Sequence, residues 1–304
     1  MKNTLLILMM MLIAPVLLPQ NGEVKEKYDD GVLKKVSNFK DGKLHGEVRT
    51  YYPTGVLMQS ETYENGTLNG PKYGFTESGI LREYYNYSEG RFHGEYRGYY
   101  EDGALREKGS YAYGTLEGEF RNYYDSGELQ TITMIKAGKK EGLATGFFKS
   151  GAVQVVANYF WNLQEDTTIW YYESGQIKGI YNYTKGNIHG TAIEYFENGK
   201  ISSEKEYNQG RANGVHKVYN EQGLLLSEIT YQRGLKEGLS VTYYDNGKQW
   251  TVQNYKRDAL DGESKIFRKD GTLWYLEVFS KGKPVSSTEY DEKGKQKEVK
   301  QYEQ

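Results

Sequence analysis

The side chains best suited to chemistry in this 304-residue chain are His45, His93, His189 and His216. The first three each stand immediately before a glycine, at one recurring position, and imidazoles gathered in that way are what a zinc site needs. Spacing argues against one. His45 and His93 lie two repeats apart, which in strands spaced about 4.8 Å would separate them by roughly 20 Å. Zinc holds its ligands at about 2 Å, so unless the sheet curls tightly these are exposed turn histidines with no metal. Carboxylates crowd the turns as well, at Glu101, Asp102, Asp125, Glu173, Glu197 and Asp245. Their placement follows turn propensity, and no pair stands apart as an acid–base couple. The chain has no cysteine, which excludes disulfides, thiol catalysis and cysteine-based zinc sites. The sequence carries no phosphate loop, nucleophile elbow or zinc-protease helix. No catalytic residue and no cofactor is expected, and the chain reads as a non-enzyme.

Aromatic residues offer the sharper signal. Asn158-Tyr159-Phe160-Trp161-Asn162 runs into Asp166, Ile169 and Trp170, and two glycines that recur elsewhere are replaced there by Asn162 and Asp166. Phe160, Trp161 and Trp170 stand where other repeats carry mostly polar or small residues. They form a candidate platform for a partner's apolar residue or a glycan. Local repacking around the missing glycines is the plainer reading. Trp250 and Trp274 share one repeat position and make a smaller, more structural patch.

The elements that must position these residues are set by a period. Glycine returns every twenty-fourth residue from Gly31 to Gly271 without a miss, the mark of a repeat architecture. Polar pairs such as Glu173-Ser174 and Asp245-Asn246 precede it, which reads as a three-residue hairpin loop with a left-handed glycine forming a bulge. A second column runs from Gly42 to Gly282 and is broken only by Asn162 and Asp258, side chains that tolerate positive φ. Runs of six to eight residues between the turns suit strands. Aromatic columns through Tyr51 and Tyr63 and a leucine column through Leu57 recur with the same period, so each repeat buries side chains against its neighbours. The expected fold is all-β: an elongated, curved single-layer antiparallel β-meander of about eleven 24-residue β-hairpin repeats, roughly 22 strands. The array spans 21–285. Residues 286–304 form a degenerate twelfth repeat, in which Gly294 and Tyr302 fall one position early.

Hydrophobic residues make up only 37%, but the 30 tyrosines allow order, because their rings bury apolar area while the hydroxyl stays wet. A net charge of -2 gives no field for steering onto nucleic acid or anionic lipid. Lys2 and the apolar run from Leu5 to Leu18, followed by Pro19 and Gln20, have the layout of a secretory signal over residues 1–20. An uncleaved anchor is the alternative, and membrane contact is expected only there. The expected location is periplasmic or secreted.

The run Tyr99-Tyr100-x-x-Gly103-x-Leu105, followed by Tyr111, Gly114 and Gly118 and repeated along nearly the whole chain, resembles the MORN repeat family. The resemblance is to the variant form found in bacterial YwqK-like proteins. It implies β-hairpin repeats and roles in scaffolding, protein binding or membrane association, and some relatives are described as antitoxin components. The leading expectation is a non-enzymatic protein-binding or scaffolding surface in the cell envelope, with a protein partner there. Carbohydrate or cell-wall binding through Tyr and Trp, and an antitoxin role, are the alternatives.

Overall fold

The computed structural model describes residues 20–303. The signal segment read from residues 1–20 lies outside them except for Gln20. The described residues contain no helix; they form strands and tight turns. By its internal contacts the chain divides into an N-terminal unit, Met1–Thr115, and a C-terminal unit, Leu116–Gln304. In each, successive strands pair antiparallel with their sequence neighbours, as a meander does.

One repeat of the N-terminal unit shows why. Strand Gly46–Tyr51 pairs with Leu57–Glu64 in the register Gly46↔Tyr63, Val48↔Glu61 and Thr50↔Gln59, then slips so that Tyr51 faces Leu57. The slip is the bulge that the glycine column demands. Gly55 has φ 83° and donates its amide to Tyr52 O at 2.9 Å, while Tyr52 N donates to Val56 O at 2.8 Å. This is the expected three-residue loop closed by a left-handed glycine. At the other end, Glu64 faces Thr67 across a two-residue turn, Asn65-Gly66, with φ 51° and 86°. Both central residues are left-handed, which defines a type I′ turn.

The residue before the second glycine is therefore also left-handed, and its side chain is often one that resists that conformation. Tyr113, Ala137, Trp161, Lys185 and Arg233 all have φ between 48° and 54°. Left-handed backbone costs an ordinary L-residue roughly 1–2 kcal/mol, so something must offset it. In most repeats the amide of this tip residue bonds to a side-chain acceptor of the preceding repeat, as in Lys185 N to Glu165 Oε2 at 2.7 Å and Arg257 N to Glu237 Oε2 at 2.9 Å; among the described residues Asn65, Trp161 and Arg233 lack that bond. The following amide donates to a carbonyl of that same repeat, as in Gly66 N to Leu44 O at 2.7 Å. Neighbouring repeats thus hold the turn through its backbone. The tip side chain takes no part in that holding.

The exceptions in the second glycine column follow the same logic. Asn162 and Asp258 keep φ 68° and add a side-chain bond, accepting at 2.7 Å from Lys140 N and Lys236 N respectively. Asp166 replaces a bulge glycine at φ 59° and accepts from Asn158 Nδ2 at 3.0 Å.

A second ladder uses tyrosine. The residue three before the unbroken glycine column sends its hydroxyl to a carbonyl 23 residues on: Tyr28 to Tyr51 O at 2.7 Å, Tyr124 to Phe147 O at 2.8 Å, Tyr172 to Tyr195 O at 2.7 Å. Apolar burial is thin by comparison. In the N-terminal unit it centres on Val36, Val48 and a ring cluster in which Tyr85 stacks on Tyr96 at 4.8 Å and Phe92 meets Tyr111 at 5.2 Å. In the C-terminal unit the corresponding buried column is small: Thr168, Ala192, Ser240 and Ser264.

The described residues form 27 strand segments where roughly 22 were expected. Bulges split off the two-residue pieces Lys43–Leu44, Asn187–Ile188 and Arg211–Ala212. The degenerate twelfth repeat also makes a full hairpin, Lys283–Tyr290 against Gln296–Gln301. Its lost residue comes out of a bulge. A regular repeat passes from Tyr63↔Leu68 to Glu61↔Lys72, whereas this one passes from Phe279↔Pro284 directly to Val278↔Ser286.

Candidate functional site

Two of the three aromatic residues singled out in the sequence come together. Phe160 and Leu163 face each other as the last pair before the turn, and Trp161 is its first residue, at φ 52°. The Phe160 and Trp161 rings lie 6.5 Å apart and are 59% and 56% exposed. Lys139 Nζ sits 3.7 Å from the centre of the Trp161 ring, a cation–π contact worth about 0.5–1 kcal/mol at an exposed site. Trp170 is elsewhere. It pairs with Val155, whereas Phe160 pairs with Leu163, so the register places it roughly 16 Å along the same hairpin. It cannot share a small ligand with the other two.

Residues not singled out complete the patch. Leu143 pairs with Asn158, two residues before Phe160, so alternation along the strand places Leu143, Phe160 and Leu163 on one face. All three are exposed. The position of Leu143 carries Glu119 and Glu263 in other repeats of this unit, ion-paired with Arg121 and Lys265. An exposed charge pair has here become exposed leucine. Leucine at this position is not a signal by itself, since Leu239 and Val215 occupy it in later repeats and are exposed as well; what sets Leu143 apart is the neighbouring Phe160.

Histidine has a different duty. His93 Nδ1 accepts from Tyr113 N at 3.4 Å and His189 Nδ1 from Gln209 N at 3.5 Å. In other repeats Asn69, Glu117, Glu165 and Asp261 do the same. What the histidine position requires is an acceptor, which imidazole, amide and carboxylate all supply. His216 lies in another column, with Nε2 2.9 Å from Glu206 O and its ring near Tyr231. No group of three or more His, Asp or Glu among the described residues could hold a metal ion.

Carboxylates on the sheet face are engaged in ladders. Glu204, Lys217 and Glu228 pair across consecutive strands, with Tyr219 donating to Glu204 at 2.8 Å and Tyr243 to Glu228 at 3.0 Å. Burial and the Glu204 hydrogen bond push the Tyr219 hydroxyl up to about 12. Glu194 is the most heavily engaged: burial raises its pKa, but hydrogen bonds from Ser203, Lys205 and Tyr181 outweigh that and hold it below the usual carboxylate range. These groups are fixed in place by one another.

Trp250 and Trp274 occupy a column whose residues lie over the tyrosine-ladder position of their own repeat. Lys178 sits over Tyr172, Trp250 lies 5.8 Å from Tyr244, and Arg268 stacks on Trp274 at 5.4 Å. In that last repeat Arg268 replaces the ladder tyrosine and donates to Asp291 O and Tyr290 O, the same carbonyl region.

Comparison with known proteins follows these repeats. The MORN repeat variant model matches residues 20–41, 44–65, 92–113, 116–136, 167–185 and 188–209. No curated protein matches the chain. Solved structures that are similar to it include the crystal structure of TcdB2-TccC3-Cdc42, at 11% identity and a TM-score of 0.18, covering 92% of this chain and 18% of that one. Another is the crystal structure of TcdB2-TccC3-TEV, at 13% identity and a TM-score of 0.20, covering 90% and 15%. This chain spans less than a fifth of either, and such scores establish no common fold. Repeats of the matched family suggest a binding role and are typically non-catalytic. Glycine turns, tyrosine strands and the matched segments coincide along both units, and the chain belongs to the MORN repeat variant family.

Proposed function

We propose that this chain is a non-enzymatic, exported repeat protein that presents a protein-binding or scaffolding surface in the cell envelope. One observation carries the binding reading: Phe160, Trp161 and Leu163 are exposed around a turn held by backbone bonds to the neighbouring repeat, with exposed Leu143 on the adjacent strand. Rigidly held aromatic residues supply contact area at low entropic cost, which is how interface anchors work. The glycan alternative has weaker support. Lys139 covers a face of Trp161, while Tyr244 and Arg268 lie against Trp250 and Trp274, so ring faces that a sugar would stack on are occupied. The envelope location rests on Lys2, the apolar run from Leu5 to Leu18 and Pro19.

Capture from an envelope extract with the full chain tests the binding reading. A partner should copurify at fixed stoichiometry and be lost with Trp161→Ala or Phe160→Ala while the Tm stays unchanged. Undiminished capture by both variants overturns the site. For the location, a C-terminally tagged chain should fractionate with the envelope or the medium. Retention in the cytoplasm overturns that part.

A further inference from the structure

Between the tips of neighbouring hairpins the fold leaves a groove, and its chemistry differs from place to place. In the C-terminal unit one such groove, about 340 Å³, is lined by Asn208, Gln209, Arg211, Asn213 and Arg233. Backbone bonds build its walls: Gly210 N to Ile188 O and Gly234 N to Ala212 O, both at 2.8 Å. Arg233 is the left-handed tip residue of one turn, and Arg211 follows the glycine of the turn before it. A Cβ at Gly234 would lie 3.9 Å from Arg211 Cβ, so the two arginines rise from adjoining backbone.

Neither guanidinium has an ion pair or hydrogen bond among the described residues. Arg97, Arg106 and Arg121, in contrast, hold Glu95, Glu107 and Glu119. No acidic side chain lines the groove. Acidic residues close in sequence to the lining are engaged elsewhere: Glu206 lines a separate cleft on the sheet face with Lys205 and Lys217, and Glu237 accepts from Arg257 N. Two unpaired guanidinium forks beside three primary amides, in a concavity without a carboxylate, form a receptor for one. The architecture does not account for the arginines, because the turn is held by its backbone whatever the tip side chain is.

We propose that this groove binds the carboxylate side chains of an extended acidic peptide segment of a protein partner, gripped by Arg211 and Arg233; the proposal rests on the protein-binding reading above and deepens it. Carboxylate and phosphate both fit a guanidinium fork, and the rest of the lining separates them. Asn208, Gln209 and Asn213 present donors and acceptors together, which suits a peptide backbone that carries both. A phosphate offers acceptors only. No apolar side chain lines the groove, so nothing there would hold a lipid's acyl chain.

Binding of a labelled decapeptide of alternating Glu and Gly to the full chain tests the proposal, with the Gln-for-Glu peptide, inorganic phosphate and vesicles of anionic phospholipid as competitors. The acidic peptide should bind and the Gln peptide should not. Arg211→Ala and Arg233→Ala should each weaken binding by roughly tenfold or more, the equivalent of one charge-assisted hydrogen bond, with circular dichroism unchanged. Arg257→Ala removes the same charge from a turn outside the groove and should leave binding intact. Equal weakening by Arg257→Ala, no loss in the two groove variants, or displacement by phosphate or vesicles at least as effective as by unlabelled peptide overturns the proposal. Capture of an envelope partner that depends on Trp161 but is indifferent to Arg211→Ala and Arg233→Ala would sink this inference alone. Loss of the Trp161 dependence with the peptide result intact would sink the site above alone.

Discussion

The groove at Arg211 and Arg233 has a counterpart in the N-terminal unit, built from the same repeat positions. There Glu64, Asn65, Thr67, Asn69 and Glu89 line about 330 Å³, against about 340 Å³ in the C-terminal unit. The sizes match and the charge is reversed. The two also differ in how fully they are satisfied. Asn69 donates to Glu64 and accepts from Glu89 N at 3.4 Å, so the acidic groove is closed upon itself in part. Asn213 makes no such side-chain bond in the basic one. One backbone device yields two chemistries because the frame is held through its main chain by the neighbouring repeat, which leaves the tip side chain and the residue after the turn glycine free of structural duty. The aromatic tip at Trp161 is a third filling of the same frame.

The comparison breaks most visibly if the frame itself depends on the lining. Thr67→Arg and Glu89→Arg, combined with Glu64→Asn, reproduce the side-chain types that line the basic groove and should convert the acidic groove into one that binds the acidic decapeptide, at an unchanged Tm. A collapse of the Tm, or no gain of binding in a folded variant, would show that the two grooves are not the same device. Frame substitutions should act in the opposite sense. Gly175→Val places a β-branched residue at φ 86° and should lower stability by about 2 kcal/mol. Glu173→Ala in the same loop should stay within about 0.5 kcal/mol in denaturant unfolding. Equal effects would remove the distinction between frame and filling.

A smaller effect belongs to the ladder. Tyr172→Phe deletes a hydroxyl that bonds Tyr195 O and should cost about 1 kcal/mol. Replacing Trp161 by Lys, the residue type that Lys185 already shows at a tip, should cost no more than the Lys139 cation–π contact it removes, about 0.5–1 kcal/mol. The phenols add a pH arm. Burial and Glu61 raise Tyr63 from 10.0 to about 12, so folding favours the protonated hydroxyl there. Tyr219 behaves alike beside Glu204. That contribution is complete below pH 10 and is lost as pH rises towards 12. Glu194 works in the other direction: its pKa is lowered on folding, so its contribution is present above the ordinary carboxylate range and fades as pH falls. Unfolding midpoints should therefore decline at both extremes, and Glu194→Gln should blunt the acid arm only.

Much of this was legible along the chain. The uninterrupted glycines from Gly31 to Gly271 announced left-handed turns, and Asn162 and Asp258 confirmed the second column by being the residues that tolerate positive φ. The hidden part was the residue before that column. Nothing in Tyr113, Ala137 or Trp161 signals a left-handed backbone, because bonds from the previous repeat impose it. Spacing already spoke against His93 and His189 as metal ligands, but their duty as acceptors beneath the next turn became visible only when the repeats were stacked. Phe160, Trp161 and Trp170 formed a single cluster in the sequence, and strand register separated the last from the others.

The period, the turn types and the pairing of neighbouring strands were determined by the sequence alone. They depend on local backbone preference repeated at fixed spacing, and a left-handed turn between two β-prone runs has few other outcomes. The tertiary structure decided which side chains share a space. Arg211 and Arg233 are 22 residues apart and make no motif, yet stacking one repeat on the next brings them to a single groove. Proximity across strands is set by register, and register depends on bulges whose effect accumulates only when the strands are paired.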